Sequence, residues 1–192
     1  GLDPQTIAAD QARKDQSEGR NLVCDLAAWR DQTIEDASVI AQAARPDCPE
    51  QSPREFANHV IDSIWNQGNL GVLPNLFDFR VGAHLTNDRD LYGTLEYGEY
   101  CEAVQSAFSN ISASVEHVAC VPYLGDAVDI AVRWTIAATH SGDGIFGAAS
   151  GAPVFILASS HWRIINGRIR EEWTVFDELA LLRQIETHRL DQ

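Results

Sequence analysis

The chain has 192 residues and a formal net charge of -14, from 28 acidic and 14 basic residues. A surface this acidic repels nucleic-acid phosphates and anionic lipids, so we expect no nucleic-acid partner and no membrane partner. No apolar run approaches the roughly 20 residues of a membrane-spanning helix. The four cysteines have no C-x-x-C or metal-binding spacing, so we expect a cytoplasmic protein with reduced cysteines.

Residues 1–51 are predicted to form an extension to the main domain. Residues 1–20 are polar and rich in alanine, and residues 21–44 carry enough apolar side chains for one helix or a helix pair. Two prolines within residues 45–51 indicate a linker. We therefore predict a helical extension and linker over residues 1–51 and one domain over residues 52–192.

The main domain begins with a strong helix signal. Ser52 is a suitable N-cap, Pro53 suits the first helical position, and Glu55 completes a capping box. Apolar residues then recur at helical spacing until Gly68, which is predicted to end the helix.

The following segments predict helices first and long strands later. We expect a short helix, a short strand, a third helix and two long strands at residues 70–77, 79–85, 97–108, 111–121 and 127–140. A Gly-rich loop at 141–151 follows, and such a loop could cover the mouth of a cavity. This order predicts an α+β fold with a curved, mostly antiparallel sheet wrapped on about three helices.

Two apolar, alternating segments flank Asn166-Gly167 and predict a β-hairpin. Both turn residues tolerate the positive φ that a type I′ turn requires. A two-residue turn places Glu171 opposite Trp162 and Trp173 opposite Ser160. Because opposed residues share a face of the sheet, these four side chains are predicted to face the interior. A final helix is expected after the hairpin.

Several segments resemble one family in the same order along the chain. They are I-W-N-Q-G-N-L at 64–70, A-V-R-W-T-I-A-A-T-H-S-G at 131–142, and H-W-R-I-I-N-G-R-I-R-E-E-W followed by F-D-E-L-A-L-L-R-Q-I. Together they resemble the SnoaL-like polyketide cyclase branch of the nuclear transport factor 2-like superfamily. The resemblance implies a cone-shaped fold with a deep apolar cavity, commonly a homodimer, and cofactor-free ring closure by acid–base chemistry.

The catalytic residues of the family transfer poorly to this chain. Its catalytic His lies three residues before the hairpin Arg, which corresponds to Ser160 when counted from Arg163. Its catalytic Asp lies three residues before a second Asp, which corresponds to Thr174 when counted from Asp177. Neither hydroxyl can replace a carboxylate as a general base near neutral pH.

The resemblance and the predicted register disagree on which residues face the cavity. A β-bulge near Glu172–Trp173 would turn Thr174 and Phe176 inward and reconcile the two. Without that bulge, the residues that point inward are Trp173, Val175 and Asp177.

Four residues are candidates for acid–base catalysis. Asp177 is a candidate base, although it also suits the N-cap of the last helix. Glu171 is the alternative base, because burial of an inward carboxyl raises its pKa, although it could also pair with a core hydroxyl or Arg; His140 or His161 would be the acid. His140 ends a strand beside the Gly-rich loop, where it is either catalytic or a surface residue. His161 faces outward in the predicted register and would enter the cavity only through a bulge.

Aromatic and hydroxyl side chains are expected to contact a flat apolar ligand. The candidates are Trp65, Ser160, Trp162, Trp173 and Thr174. No nucleotide-binding or metal-binding motif is present in the sequence, so we expect neither a cofactor nor a metal.

Two functions remain open on the sequence. The first is an enzyme of cyclase or isomerase type that acts on a small carbonyl-bearing or polyketide-like molecule. The second is a ligand-binding or assembly module that has lost the His and Asp of the family. In either case a homodimer is expected, through the outer sheet face near Arg163, Arg170 and Trp134.

Overall fold

A computed structural model describes residues 52–125 and 127–192, so the predicted extension over residues 1–51 lies outside the described residues. Within this part of the chain, the α-helices are α1 (Pro53–Ile61), α2 (Leu73–Leu76), α3 (Gly93–Ser106) and α4 (Glu178–Leu190). The strands are β1 (Phe77–Leu85), β2 (Arg89–Tyr92), β3 (Phe108–Pro122), β4 (Val128–His140), β5 (Pro153–Ile165) and β6 (Arg168–Phe176). None of the described helices is long and apolar enough to cross a membrane.

The strands form one curved sheet in the order β2-β1-β6-β5-β4-β3. The β1–β6 pair is parallel and the other pairs are antiparallel, which confirms a mostly antiparallel α+β fold. Among the described strands the sheet does not close, and β2 and β3 lie at its two edges. Its inner face packs with the helices around a core that includes Val60, Ile64, Phe77, Trp162 and Ile164.

The predicted capping box at the start of α1 is confirmed. The Ser52 hydroxyl accepts a hydrogen bond from the Glu55 N–H at 3.3 Å, and the Glu55 carboxylate accepts one from the Ser52 N–H at 2.9 Å. Beyond α1, residues Asp62–Asn66 form a wider π-helical turn, in which the Gln67 N–H donates to the Asp62 carbonyl at 3.0 Å. Gly68, at a φ of +62°, follows this turn, where a positive φ favours glycine.

The hairpin turn forms as predicted. Asn166 and Gly167 have φ values of 52° and 74°, as a type I′ turn requires. Ile165 pairs with Arg168, and Ile164 pairs with Ile169. The predicted register is therefore correct for the first two residue pairs.

Beyond those pairs the predicted register is wrong. Arg163 pairs with Glu171, which leaves Arg170 as an extra residue in β6. This β-bulge shifts all later pairs by one position, so that Trp162 lies opposite Glu172. The bulge lies earlier in the strand than the position considered from the sequence.

The bulge coincides with an irregularity in the pairing of β6 with its parallel neighbour β1. Between the pairs Phe77–Ile169 and Gly82–Glu171, β1 contributes several more residues than β6 does. The Arg170 guanidinium donates a hydrogen bond to the Arg80 carbonyl within this irregular segment. The extra residue thus satisfies a backbone acceptor that the regular ladder leaves unpaired.

The Gly-rich loop between β4 and β5 is anchored at its first residues. The N–H groups of Ser141 and Gly142 both donate to the Ala107 carbonyl, each at 3.1 Å. A Cβ atom on Gly142 would lie 1.9 Å from the Ser106 carbonyl oxygen. Only glycine permits this close approach.

Asn66 joins the π-helical turn to the edge strand β3. Its side chain accepts from the Ala113 N–H at 2.7 Å and donates to the Ala113 carbonyl at 3.1 Å.

We expect Asn66→Ala to lower the free energy of unfolding by about 1–2 kcal/mol, because the N–H and the carbonyl of Ala113 each lose a hydrogen-bond partner. Urea denaturation measures this change. Gln67→Ala, which removes an exposed contact with Asp62, should cost less than about 0.5 kcal/mol. Equal losses in the two variants would contradict this role of Asn66.

Candidate functional site

A narrow, largely apolar cavity lies between the inner face of the sheet and the helices α1 and α3. Its walls enclose about 650 Å³ of space between atoms, counting the mouth, and about 50 Å³ is wide enough for the centre of a water molecule. One water needs roughly 10–15 Å³ on the same measure, so the free space suits only a few water-sized groups. A larger ligand must displace side chains. Apolar wall residues include Val60, Ile64, Tyr97, Ile136 and Phe176.

Three tryptophans form much of the cavity wall. Trp65 stacks on Trp134, with ring centroids 5.7 Å apart and an interplanar angle of 29°. Trp162 is buried and packs edge-on against Phe56 at 6.4 Å. Trp134 therefore faces the interior, and its predicted place on the outer sheet face is wrong, because its position in β4 alternates inward.

A chain of polar groups crosses the apolar wall. The Trp134 indole N–H donates to Ser160 Oγ at 2.9 Å, and Ser160 Oγ lies 2.7 Å from Thr174 Oγ1. The Thr174 hydroxyl donates to Glu172 Oε1 at 2.5 Å. Glu172 is only 3% exposed and lines the cavity. Its second oxygen, Oε2, has no hydrogen-bond partner within the described residues.

The carboxyl group of Glu172 has an altered proton affinity. Burial raises its pKa, because a charged carboxylate is poorly solvated in this apolar wall, while Thr174, Tyr97 and Trp162 act in the opposite direction. Burial and the nearby Glu172 also raise the pKa of the Tyr97 hydroxyl well above its usual value. The structure thus favours the neutral form of both groups.

Two of the predicted catalytic acids lie outside the cavity. Asp177 is exposed and caps α4, accepting a hydrogen bond from the Ala180 N–H at 2.8 Å. Glu171 lies on the outer sheet face, 3.4 Å from Arg170 Nη1 and 3.5 Å from His84 Nε2. The predicted inward position of Glu171 is wrong because the bulge at Arg170 reverses the alternation of β6.

The predicted catalytic histidines are also separated from the cavity chemistry. His161 lies on the outer face, with Nε2 3.2 Å from Asp129 Oδ2. His140 is fully buried but does not line the cavity, and its Nδ1 lies 3.0 Å from Ser150 Oγ in the Gly-rich loop. Burial lowers the pKa of His140, with a contribution from Arg189. His140 therefore fixes the loop that carries Phe146 to the cavity wall.

Trp173 does not reach the cavity, in contrast to the prediction. It is 37% exposed on the outer face, where its ring stacks on His84 at 5.6 Å and contacts the His161 ring at 5.4 Å. The other predicted ligand-binding residues, Trp65, Ser160, Trp162 and Thr174, lie on the cavity wall.

Glu172 is the cavity acid that the sequence reasoning missed. The resemblance placed Thr174 at an inward-facing catalytic position. Side chains of a strand alternate with a period of two, so an inward Thr174 also implies an inward Glu172. Among residues 52–125 and 127–192, no three His, Cys, Asp or Glu side chains form a metal-binding group.

The curved sheet, the helices packed on it and the cavity between them define a nuclear transport factor 2-like protein. The family of SnoaL-like polyketide cyclases matches residues 55–185, so the chain belongs to this family. No curated protein matches the chain significantly in sequence.

Solved structures agree with this fold. A SnoaL-like protein from Jannaschia sp. CCS1 has a TM-score of 0.63 and 17% identity, covering 74% of this chain and 96% of that protein. IdmH from Streptomyces antibioticus, a candidate polyketide cyclase, has a TM-score of 0.58 and 22% identity, covering 71% and 99%. A SnoaL-like polyketide cyclase from Agrobacterium tumefaciens has a TM-score of 0.55 and 18% identity, covering 70% and 98%.

The raised pKa of Glu172 predicts how stability depends on pH. The folded state holds this proton more tightly than the unfolded state, so stability falls as pH rises from the ordinary value of 4.5 towards the raised folded pKa. We expect Glu172→Gln to remove a slope of up to about 1.4 kcal/mol per pH unit in that window. Urea unfolding at a series of pH values measures the slope. A slope unchanged by Glu172→Gln would contradict the assignment.

Proposed function

We propose that the chain binds a small, largely apolar, carbonyl-bearing molecule of polyketide type in this cavity and exchanges a proton with it through Glu172. The observation that carries the proposal is a buried carboxyl group on an apolar wall, with one oxygen that has no hydrogen-bond partner among the described residues. Because its pKa is raised, this carboxyl group holds its proton to a higher pH than an exposed carboxyl does, and the carboxylate is a stronger base, as proton exchange with a ligand requires. Membership of the SnoaL-like polyketide cyclase family supports the substrate class.

The proposed chemistry is a proton transfer of cyclase or isomerase type. The ionised carboxylate removes a proton from the carbon next to the ligand carbonyl, and the electron pair of that C–H bond moves onto the carbonyl oxygen. The neutral acid then returns the proton to oxygen or to another carbon. No electrons are gained or lost overall, so the side chain alone supplies the chemistry and the proposal includes no cofactor.

The cavity explains how the acid could differ from that of the relatives. Ser160 and Thr174 occupy the family's His and Asp positions, and their hydroxyls are hydrogen-bonded to each other and to Glu172. In the proposal, Glu172 supplies the titratable group that Thr174 lacks. Asp177 and Glu171 are not proposed as bases, because neither side chain lines the cavity.

One observation favours the alternative of a ligand-binding or assembly module without catalysis. The space available to water-sized groups is about 50 Å³, which is small for a multi-ring substrate. A module that binds a small apolar group would need only the aromatic walls formed by Trp65, Trp134 and Trp162.

We also propose a homodimer through the outer sheet face. Phe155, Leu157 and Val175 are 56%, 53% and 62% exposed on the adjacent strands β5 and β6. Neighbouring exposed apolar side chains of this kind are typical of interaction surfaces. Arg163 and Arg170 lie on the same strands and would border the interface.

The proposed activity can be tested with 2-tetralone as a probe. We expect the protein to accelerate exchange of its α-protons in D₂O, measured by NMR. Glu172→Gln should lower the rate by about 100-fold or more, because the amide cannot act as a general acid or base. Glu171→Gln, one residue away on the opposite face, should retain the rate. Wild-type rates in the Glu172→Gln protein would exclude the proposed role.

The proposed dimer predicts a sedimenting mass of twice the 21.2 kDa chain. Leu157→Arg should produce monomers, because a charge buried at the interface is unfavourable. Leu95→Arg changes an exposed leucine on α3 and should leave the dimer intact. A wild-type monomer across the micromolar range would refute this interface.

A further inference from the structure

The polar chain in the cavity wall has a fixed direction. It starts at the Trp134 indole N–H, which can donate a hydrogen bond but cannot accept one. This group donates to Ser160 Oγ at 2.9 Å. The side chain of buried Ser160 has one other hydrogen-bond partner within the described residues, Thr174 Oγ1 at 2.7 Å. The single hydroxyl proton of Ser160 is therefore donated to Thr174.

The same reasoning fixes the next bond. Thr174 accepts from Ser160, so its own proton is donated to Glu172 Oε1 at 2.5 Å. The opposite direction would leave the Ser160 proton without an acceptor in a buried site, which costs about 1–3 kcal/mol. All three donors therefore point towards the carboxyl group.

This direction determines which oxygen of neutral Glu172 carries the proton. Oε1 accepts from Thr174, so the proton lies on Oε2. Oε2 has no hydrogen-bond partner among the described residues. The indole N–H of Trp162 also has none, although Trp162 lies directly opposite Glu172 and lines the same cavity. With the proton on Oε2, both groups are donors, and neither has an acceptor within hydrogen-bond distance in the described part of the chain.

We propose that Glu172 Oε2–H and Trp162 Nε1–H form a donor pair for one oxygen atom of the ligand, a ketone or enolate oxygen. This inference rests on the proposed function for the presence of a ligand and adds which atom the cavity recognises. Trp134, Ser160 and Thr174 are positioning residues, because they orient the acid without touching the ligand oxygen. In the proposed reaction the ionised Glu172 first takes up the α-proton. The neutral acid that results and the Trp162 indole N–H then both donate to the enolate oxygen and stabilise its negative charge.

A matched pair of probes tests the preference for an oxygen acceptor. The probes are 2-acetylnaphthalene and 2-isopropenylnaphthalene, which differ in having a carbonyl oxygen or a methylene group at the same position. We expect the ketone to bind about tenfold more tightly, measured by calorimetry or tryptophan fluorescence. Equal affinities in the wild-type protein would overturn the proposal.

Variants of the donor pair sharpen this test. Glu172→Gln should keep the ketone preference, since its amide oxygen can accept from Thr174 while its N–H groups face the ligand. Glu172→Met and Trp162→Phe should each reduce the preference, because each removes one donor. Comparing the two probes within one variant cancels the effect of the altered side-chain volume. If Glu172→Gln loses the preference as fully as Glu172→Met does, the donor assignment is wrong.

Infrared spectroscopy tests the direction of the chain without a ligand. The carbonyl stretch of a neutral carboxylic acid should be present in the wild-type protein and missing from Glu172→Gln. Thr174→Val should move this band to higher frequency, because the acid's carbonyl oxygen Oε1 loses its hydrogen bond, whereas Thr174→Ser should not. If the proton were on Oε1, Thr174→Val would leave the band almost in place, and the inference would fail.

The two proposals can fail separately. A ketone preference and the band shift, found together with 2-tetralone exchange that does not depend on Glu172, would support the donor pair and refute the proposed proton transfer. Exchange that depends on Glu172 without any ketone preference would refute the donor pair alone.

Discussion

The set of residues that face the cavity depends on the β-bulge at Arg170, where the guanidinium donates a hydrogen bond to the Arg80 carbonyl. This hydrogen bond accompanies the extra residue that fits β6 between its antiparallel neighbour β5 and its parallel neighbour β1. From that residue onward, the side chains of β6 alternate in the order that brings Glu172 and Thr174 into the cavity. If the strand were regular, the same sequence would place Glu171 and Trp173 in the cavity instead.

The site combines a polar chain with surroundings that solvate charge poorly. The apolar cavity wall raises the pKa of Glu172, and the directed hydroxyls determine how the neutral acid is presented. The fold of the SnoaL-like family provides the position for such a group, while the individual residues decide its chemistry. Ser160 and Thr174 link the Trp134 indole to Glu172 through hydrogen bonds, at positions where the family resemblance places titratable side chains.

Much of the fold could be predicted because its signals are local. The capping box at Ser52 and the Asn166-Gly167 turn depend on residues a few positions apart, and both form as expected. The short strand β2 was not predicted, because four residues are too few to show a clear alternation of apolar and polar side chains.

The register of β6 could not be predicted from the hairpin alone. It depends on the irregular pairing with β1, which is about 90 residues away in sequence and parallel in direction. Local alternation therefore placed Glu171 and Trp173 inward, and both lie outside. The family resemblance contained the correcting information for Thr174, and with it for Glu172.

The bulge also affects how this cavity can change during evolution. Loss of the single codon for Arg170 would restore regular pairing with β5 and would leave Glu172 opposite Trp162 and Thr174 opposite Ser160. The inward carboxyl and hydroxyl groups would therefore be retained, and the Arg80 carbonyl would lose its hydrogen bond from the guanidinium. Loss of one codon after the bulge would instead exchange the inward and outward residues that follow it.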